Sequence, residues 1–280
     1  MKHHNEVDIL NRRDINKARA AATLNTIKEG FYKLGNQNIM IPNFKPAEYF
    51  STHKLDNLPK IYPKETELSN ITLEVRNEST VDTILREYRK LYDQDKETEI
   101  PIGVLNFASA RHPGGGFLNG AMAQEEALCH ASTLYPQLKD SKMYEYNNAM
   151  CNSGIYNDAM NVSKTIFFKN GNDYFVRPAE VIVVTSAAVN NRALKPYERS
   201  SVEYIMRRRM EKIIQMFIRN KCKVLILGAF GCGVFGNESE FIAKTWKELL
   251  EKYGGYFDKV VFTILDSKGD NIKPFKELFE

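Results

Sequence analysis

Ile102-Gly103-Val104-Leu105-Asn106-Phe107-Ala108-Ser109-Ala110-Arg111-His112-Pro113-Gly114-Gly115-Gly116-Phe117-Leu118-Asn119-Gly120-Ala121-Met122-Ala123-Gln124-Glu125-Glu126 decides how the rest of this chain is read. The apolar run from Ile102 to Phe107 has the composition of a buried strand. Three consecutive glycines follow, and two adjacent carboxylates then stand where an Ala- and Leu-rich helix begins. The order is strand, loop, helix.

Glycine has no Cβ, so Gly114, Gly115 and Gly116 let the backbone take positive φ angles and bring N–H groups against a ligand's oxygens. A helix beginning just beyond Ala121 adds unpaired N–H groups and the positive end of its dipole, which favour an anion such as a diphosphate. Two carboxylates beside an anion site need another reason. Like charges repel and a desolvated glutamate keeps its proton to higher pH, so one of Glu125 and Glu126 is expected to be protonated near neutrality. A protonated carboxyl beside a bound phosphosugar is a candidate general acid. Both features also have a structural explanation, because glutamates favour the first helical turn and glycines favour turns.

A second glycine loop, Gly228-Ala229-Phe230-Gly231-Cys232-Gly233-Val234-Phe235-Gly236, follows an apolar strand from Lys223 to Leu227 and precedes a helix from about Ser239 to Tyr253. In an open α/β sheet ligands bind outside the carboxyl ends of the strands, so two such loops on neighbouring strands can hold one ligand between them. Neither loop has the Gly-Lys-Ser/Thr ending of a P-loop or the spacing of a dinucleotide fold. Phe235 either stacks on a ribose or base or plugs the loop into the core. Cys232 lies near a helix N-terminus, where thiol pKa values fall, but no histidine stands in a motif that makes it a base; Cys232 reads as a small loop residue beside the ligand. His112 reaches ligand or solvent, and His130 is packed on its helix.

Outward from these loops the pattern is regular. Residues Asp14 to Leu34 read as a helix ended by Gly35, and Ile39 to Ile41 as a short strand. Pro42, Pro46, Pro59 and Pro63 make an irregular connection in which any boundary would fall. Ile71 to Val75 alternates like a half-buried strand, and a helix capped by Ser79 and Thr80 follows. The helix after Gln124 is expected to run to Leu134 and end at Pro136. Residues 141 to 178 show weak periodicity and read as a long excursion with one or two short strands, turned at Asn170-Gly171-Asn172-Asp173. Glu180 to Thr185 is a doubly covered strand, Ser201 to Ile218 a helix, and Val260 to Leu265 a last strand. Arg207-Arg208-Arg209 reads as a solvated helix face. Strands alternating with helices indicate an α/β sandwich with a largely parallel sheet and helices on both faces.

With 280 residues, 43% of them hydrophobic and 26% charged, the chain has the composition of a soluble globular protein. A formal charge of +4, with basic residues interleaved among acidic ones, does not indicate a nucleic-acid partner. The opening Met1 to Glu6 has no apolar core of a leader, and no run is long enough to span a bilayer, so the expectation is a cytosolic or nuclear protein with no membrane partner. Cys129, Cys151, Cys222 and Cys232 form no CxxC pair and have no histidines at ligand spacing, so neither zinc nor a disulfide framework is expected; they read as reduced and mostly buried. His3 and His4 read as solvated.

Three glycines, seven residues and then Gln124-Glu125-Glu126 resembles the signature of the poly(ADP-ribose) glycohydrolases. The block from Leu105-Asn106-Phe107-Ala108-Ser109 to Leu134-Tyr135-Pro136 is similar to their microbial branch, as are the second loop, Leu73 to Thr80 and Ile155-Tyr156-Asn157-Asp158. The likeness covers most of the chain from about residue 10. It departs at Thr185 to Asn190, where the family tends to have prolines, and at Phe230, where a tryptophan is usual; both are expected on the adenosine side.

The resemblance implies a macrodomain-like three-layer αβα sandwich with a mixed, largely parallel sheet, as a single globular unit. Residues 1–65 would form an N-terminal helical extension packed on a catalytic core of residues 66–280. It implies ADP-ribose held with its diphosphate on Gly231, Cys232, Gly233, Val234 and Phe235, and its distal ribose near Asn106, Gly114, Gly115, Gly116 and Gln124. Glu126 matches the catalytic acid and Glu125 would orient ribose hydroxyls; no metal and no cofactor are implied. The implied substrate is ADP-ribose or poly(ADP-ribose) on modified proteins, with nucleic acid only as an ADP-ribosylated target. A mono-ADP-ribosyl hydrolase and a non-catalytic ADP-ribose reader are the alternatives.

Overall fold

The structure, a computed structural model, describes residues 2–92, 101–149 and 154–280. A helix α1 (Lys2–Glu29) leads into a hairpin of β1 (Phe31–Leu34) and β2 (Gln37–Met40), then a short strand β3 (Glu48–Phe50) and a helix α2 (Thr52–Asp56). Strands and helices then alternate through β4 (Thr72–Arg76), α3 (Thr80–Tyr92), β5 (Ile102–Phe107), α4 (Gln124–Ala131), α5 (Leu134–Leu138) and α6 (Lys142–Ala149). The chain continues through β6 (Met160–Lys169), β7 (Phe175–Ser186), α7 (Val202–Arg219), β8 (Val224–Leu227), α8 (Ser239–Tyr253), β9 (Lys259–Thr263) and α9 (Lys273–Phe279).

The main sheet runs β3-β6-β7-β5-β8-β9-β4. From β7 across β5, β8 and β9 to β4 every pairing is parallel, whereas β6 is antiparallel to both β7 and β3. Its central strands β5 and β8 are almost wholly apolar and buried because helices cover both faces. On β5, Leu105 joins the core formed with Ile213, Phe217 and Trp246 of α7 and α8. Ile102 and Val104 join the opposite core with Ile84 of α3 and Leu128 of α4. Gly103 lets α7 close onto the sheet, since a Cβ there would lie 2.5 Å from the Phe217 ring. The result is the three-layer α/β sandwich with a mixed, largely parallel sheet. Among the described residues no helix is long and apolar enough to cross a membrane.

Two helices anchor what the strands carry. The fully buried Trp246 of α8 donates its indole N–H to the Gly228 carbonyl at 3.1 Å, holding the start of the second glycine loop. Along the first loop and the helix after it, Asn16 of α1 donates to the Gly120 carbonyl at 3.2 Å and Thr23 donates to the His130 carbonyl of α4 at 2.9 Å. Gly120 has φ +76°, and a Cβ on it would collide with the Arg13 carbonyl, so only glycine lets α1 lie against this loop.

Several local expectations are corrected. The first helix ends at Gly30 (φ +78°), not Gly35, because Phe31 to Leu34 pairs with Gln37 to Met40 and buries Tyr32 against Phe168 and Phe175. Pro136 does not end the helix after Gln124: Ser132 does. Its hydroxyl donates to Leu128 O and accepts from Leu134 N, and Pro136 then sits in the first turn of α5, where its missing N–H costs nothing. Residues 141 to 178 hold a helix and most of a long β6–β7 hairpin, turned at Asn170 to Tyr174 as expected. β6 is buried on both faces at every residue but Lys164, which erased the alternation that would have marked it. Of the three arginines, Arg207 and Arg208 are part-exposed, but Arg209 is completely buried against Asp158. Cys129, Cys222 and Cys232 are free and buried; Cys151 and the side chains of His3 and His4 lie outside the described residues.

Candidate active site

The two glutamates are held by the loop that precedes them. Glu126 Oε1 accepts from the Gly116 N–H at 2.7 Å and Oε2 from the Ala123 N–H at 2.8 Å. Glu125 Oε2 accepts from the Ser109 N–H at 2.6 Å, and Oε1 from the Asn106 amide at 3.2 Å. Gly114 and Gly115 have φ of +65° and +60°, and these conformations turn the loop around the carboxylates. A Cβ on Gly115 would collide with Glu126 Oε1 and lie 3.0 Å from Glu125 Oε2, so both carboxylates reach the same point over this glycine.

Glu125 and Glu126 are only 3% and 7% exposed. Burial, reinforced by the negative charge of Glu126, pushes Glu125 up to about 8, against the opposing pull of the Ser109 N–H and the Asn106 amide. At neutral pH the pair therefore carries a proton. Asn106, fully buried, divides its amide N–H groups between Glu125 and Thr185. Gln124 fastens the start of α4 to β5, accepting from Phe107 N at 2.9 Å and donating to Leu105 O at 2.8 Å.

β5 and β8 are hydrogen-bonded neighbours, so the two glycine loops stand side by side. In the second loop, Gly231 has φ +77° and Asn237 donates to the Gly231 and Val189 carbonyls at 3.1 and 2.7 Å. The Cys232 N–H goes to the Ala229 carbonyl, and burial pushes the Cys232 thiol up to about 12, which leaves no thiolate. Val234 is 76% exposed at the tip, and the half-buried Phe235 lies against Tyr156.

Between the loops lies a cleft of about 630 Å³. Of the expected site residues, Gly115, Gly116, Gln124, Glu125, Glu126, Gly231, Gly233, Val234 and Phe235 line it. Asn106 and Gly114 act from behind, Gly114 packed under Tyr135 and Cys129. Cys232 faces a second cleft of about 540 Å³ that shares Phe107, Ala123, Gln124, Ala229 and Gly233 with the first and is walled by Glu78, Thr80 and Leu265. Ala188 and Phe230, two of the departures from the family pattern, line this cleft together with the carboxylates. Sequence reasoning missed Ser109 and Ala123, whose contributions are backbone N–H groups that no side-chain type announces. His112 is exposed at the cleft, while His130 is buried against Phe117 and burial lowers it to about 4, so its imidazole is neutral.

Residues 20–170 match the family described as microbial-type PARG, catalytic domain. A comparison with curated proteins found no match. Among solved structures, poly(ADP-ribose) glycohydrolase from Thermomonospora curvata is 28% identical, with a TM-score of 0.83 over 95% of this chain and 100% of that one. The same protein bound to the inhibitor ADP-HPD gives 29% identity and a TM-score of 0.81 over the same shares. Poly(ADP-ribose) glycohydrolase from Deinococcus radiodurans in complex with ADP-ribose is 29% identical, with a TM-score of 0.70 over 82% of this chain and 93% of that one. With more than half of its length matched, and with paired glutamates at the start of α4 beside a second glycine loop, this chain belongs to the microbial-type poly(ADP-ribose) glycohydrolase family.

Proposed function

We propose that this chain hydrolyses the ribose–ribose O-glycosidic bond of poly(ADP-ribose) and releases ADP-ribose, with Glu126 as general acid and then general base. The observation that carries the reading is the buried glutamate pair, held by backbone N–H groups on the floor of the cleft between two glycine loops. The single proton that the pair holds, resting on Glu125, passes through Glu126 to the leaving ribose oxygen as the anomeric C–O bond breaks and an oxocarbenium-like centre develops. The Gly116 and Ala123 N–H groups then stabilise the carboxylate left behind. That carboxylate takes a proton from water as the water oxygen bonds to the anomeric carbon, which restores the starting state. Glu125 orients ribose hydroxyls and keeps the pair singly protonated.

The diphosphate rests on the backbone of Gly231 to Phe235, and the adenosine extends toward the second cleft past the shared wall at Gly233. Residues 1–65 serve as a flank packed on the catalytic core of residues 66–280. The substrate is the polymer on modified proteins, and the working place is the cytoplasm. Mono-ADP-ribosyl hydrolysis is kept as the second reading by Ala188 and Phe230, the departures that line the carboxylate cleft.

The test is release of ADP-ribose from automodified, poly(ADP-ribosyl)ated protein by the wild type and by Glu126→Gln. Turnover should fall about 10²- to 10⁴-fold in the variant while ADP-ribose binding is spared. Equal turnover by the two would remove Glu126 from its role. No release by either, with ADP-ribose still bound in calorimetry, would point to a reader.

A further inference from the structure

Arg209 and Asp158 take no part in the chemistry above, yet both side chains are 0% exposed, with Nε 3.1 Å from Oδ1. No other ion pair among the described residues is buried at both ends. A pair withdrawn from water is worth little unless its remaining donors and acceptors are satisfied. Arg209 meets that condition with carbonyls: Nη1 donates to Ala187 O at 2.7 Å, and Nη2 donates to Ile155 O at 3.0 Å and Tyr156 O at 3.4 Å. The second oxygen of Asp158 receives Arg208 at 2.6 Å and Lys212 at 3.1 Å. These cations all stand on α7, so one helix ties the 155–158 segment to the chain just beyond β7. The Asn190 N–H, bonded to the Gly154 carbonyl at 2.7 Å, makes a second tie between the same two segments.

At the tied point Tyr156 has φ +56°, a left-handed conformation that a tyrosine holds only where its surroundings over-determine it. Its ring is buried with Ala110, Ala187 and Phe235, 6.2 Å between centroids from the Phe235 ring. The Arg111 guanidinium lies 6.0 Å from the Tyr156 ring. Phe235 in turn lines the cleft with Glu125 and Glu126. A continuous line of contacts thus runs from the buried guanidinium through Tyr156 to the aromatic wall facing the acid.

We infer that Tyr156, held by the Arg209–Asp158 pair, is a positioning residue for the glycosidic reaction: its ring sets the depth of Phe235 and so places the ribose whose anomeric carbon faces Glu126. This rests on the glycohydrolase reading. Displacing the ribose from its reactive placement lowers turnover more than capture, because the diphosphate loop still holds the ligand. A residue that only stabilised the fold would lower the melting temperature and leave kcat per folded molecule unchanged.

The experiment is steady-state release of ADP-ribose from poly(ADP-ribosyl)ated protein by the wild type, Tyr156→Gly, Arg209→Met and the double variant, each with a melting temperature. Glycine keeps the positive φ without strain, so Tyr156→Gly removes only the ring. Its kcat should fall roughly ten- to hundredfold with KM within about threefold, and Arg209→Met in that background should cost no further turnover. Wild-type kcat in Tyr156→Gly, or losses that multiply in the double variant, would overturn the inference. Should Arg209→Met not fold, Tyr156→Gly decides alone by the same kcat criterion. A wild type that releases no ADP-ribose overturns the glycohydrolase reading and this one with it; an active wild type beside an equally active Tyr156→Gly overturns this one only.

Discussion

The two glycine loops lie side by side at the ends of β5 and β8 but are held in opposite ways. The loop after β5 holds its own chemistry, because N–H groups of Ser109, Gly116 and Ala123 fasten both carboxylates and leave no room for a side chain at Gly115. The loop after β8 is held from outside, by Trp246 at its start, Asn237 at its end and Tyr156 behind Phe235. Its tip is open: nothing lies within 4 Å of where a Cβ on Gly233 would be. A proton donor must keep one position through the reaction, whereas a cradle for a flexible diphosphate gains from a tip that can adjust.

Gly115→Ala tests that difference most severely. The added methyl meets Glu126 Oε1 and Glu125 Oε2 at a residue with φ +60°, so kcat should fall on the order of 10²- to 10³-fold, with ADP-ribose affinity within about fivefold. Wild-type turnover in this variant would show that the first loop does not fix its carboxylates.

The pH–rate profile is next. Glu125 is pushed up to about 8, so the pair loses its proton as pH rises through that value, and kcat should fall about tenfold per pH unit beyond it. Glu125→Gln should remove that limb. Stability gives an independent check on the same group. A carboxyl raised in the folded state binds its proton more tightly folded than unfolded, so its contribution is full below the unfolded value of about 4.3 and is lost as pH rises through about 8. Glu125→Gln should therefore raise the melting temperature more at pH 9 than at pH 5, and an equal change at both would contradict the buried, protonated state.

On the second loop smaller effects are expected. Asn237→Ala removes the bonds to Gly231 and Val189 and should weaken ADP-ribose binding about tenfold by calorimetry, with saturated turnover nearly unchanged. Gly233→Ala should leave both affinity and kcat within about twofold. A large loss there would mean that the tip is as tightly specified as the catalytic loop.

Much of this arrangement was legible in the chain. β5 and β8 stood out because strands covered on both faces are apolar almost throughout, and each led into a loop with glycines that only a tight turn or a ligand explains. The same double covering hid β6, whose flanks carry no turn signal except Asn170 to Asp173, while the start of β7 is only partly covered and mixes Arg177 and Pro178 with apolar residues. Gln124 shared the signature with the glutamates, yet its amide is engaged with the β5 backbone. Arg209 read like its two neighbours on α7, and only the approach of the 155–158 segment separated it from them.

The sequence by itself determined the order of strand, glycines and paired carboxylates, and with it the class of chemistry, because these depend on residue type and on spacing of a few positions. Only the tertiary structure decided which glutamate is driven to hold a proton, which glycines make room and which face the open cleft, and why one arginine of three is buried. Those properties are set by desolvation and by donors brought together from distant parts of the chain. Thr185 reaches Asn106 across 79 residues and Arg209 reaches Asp158 across 51, and such meetings leave no mark in local spacing.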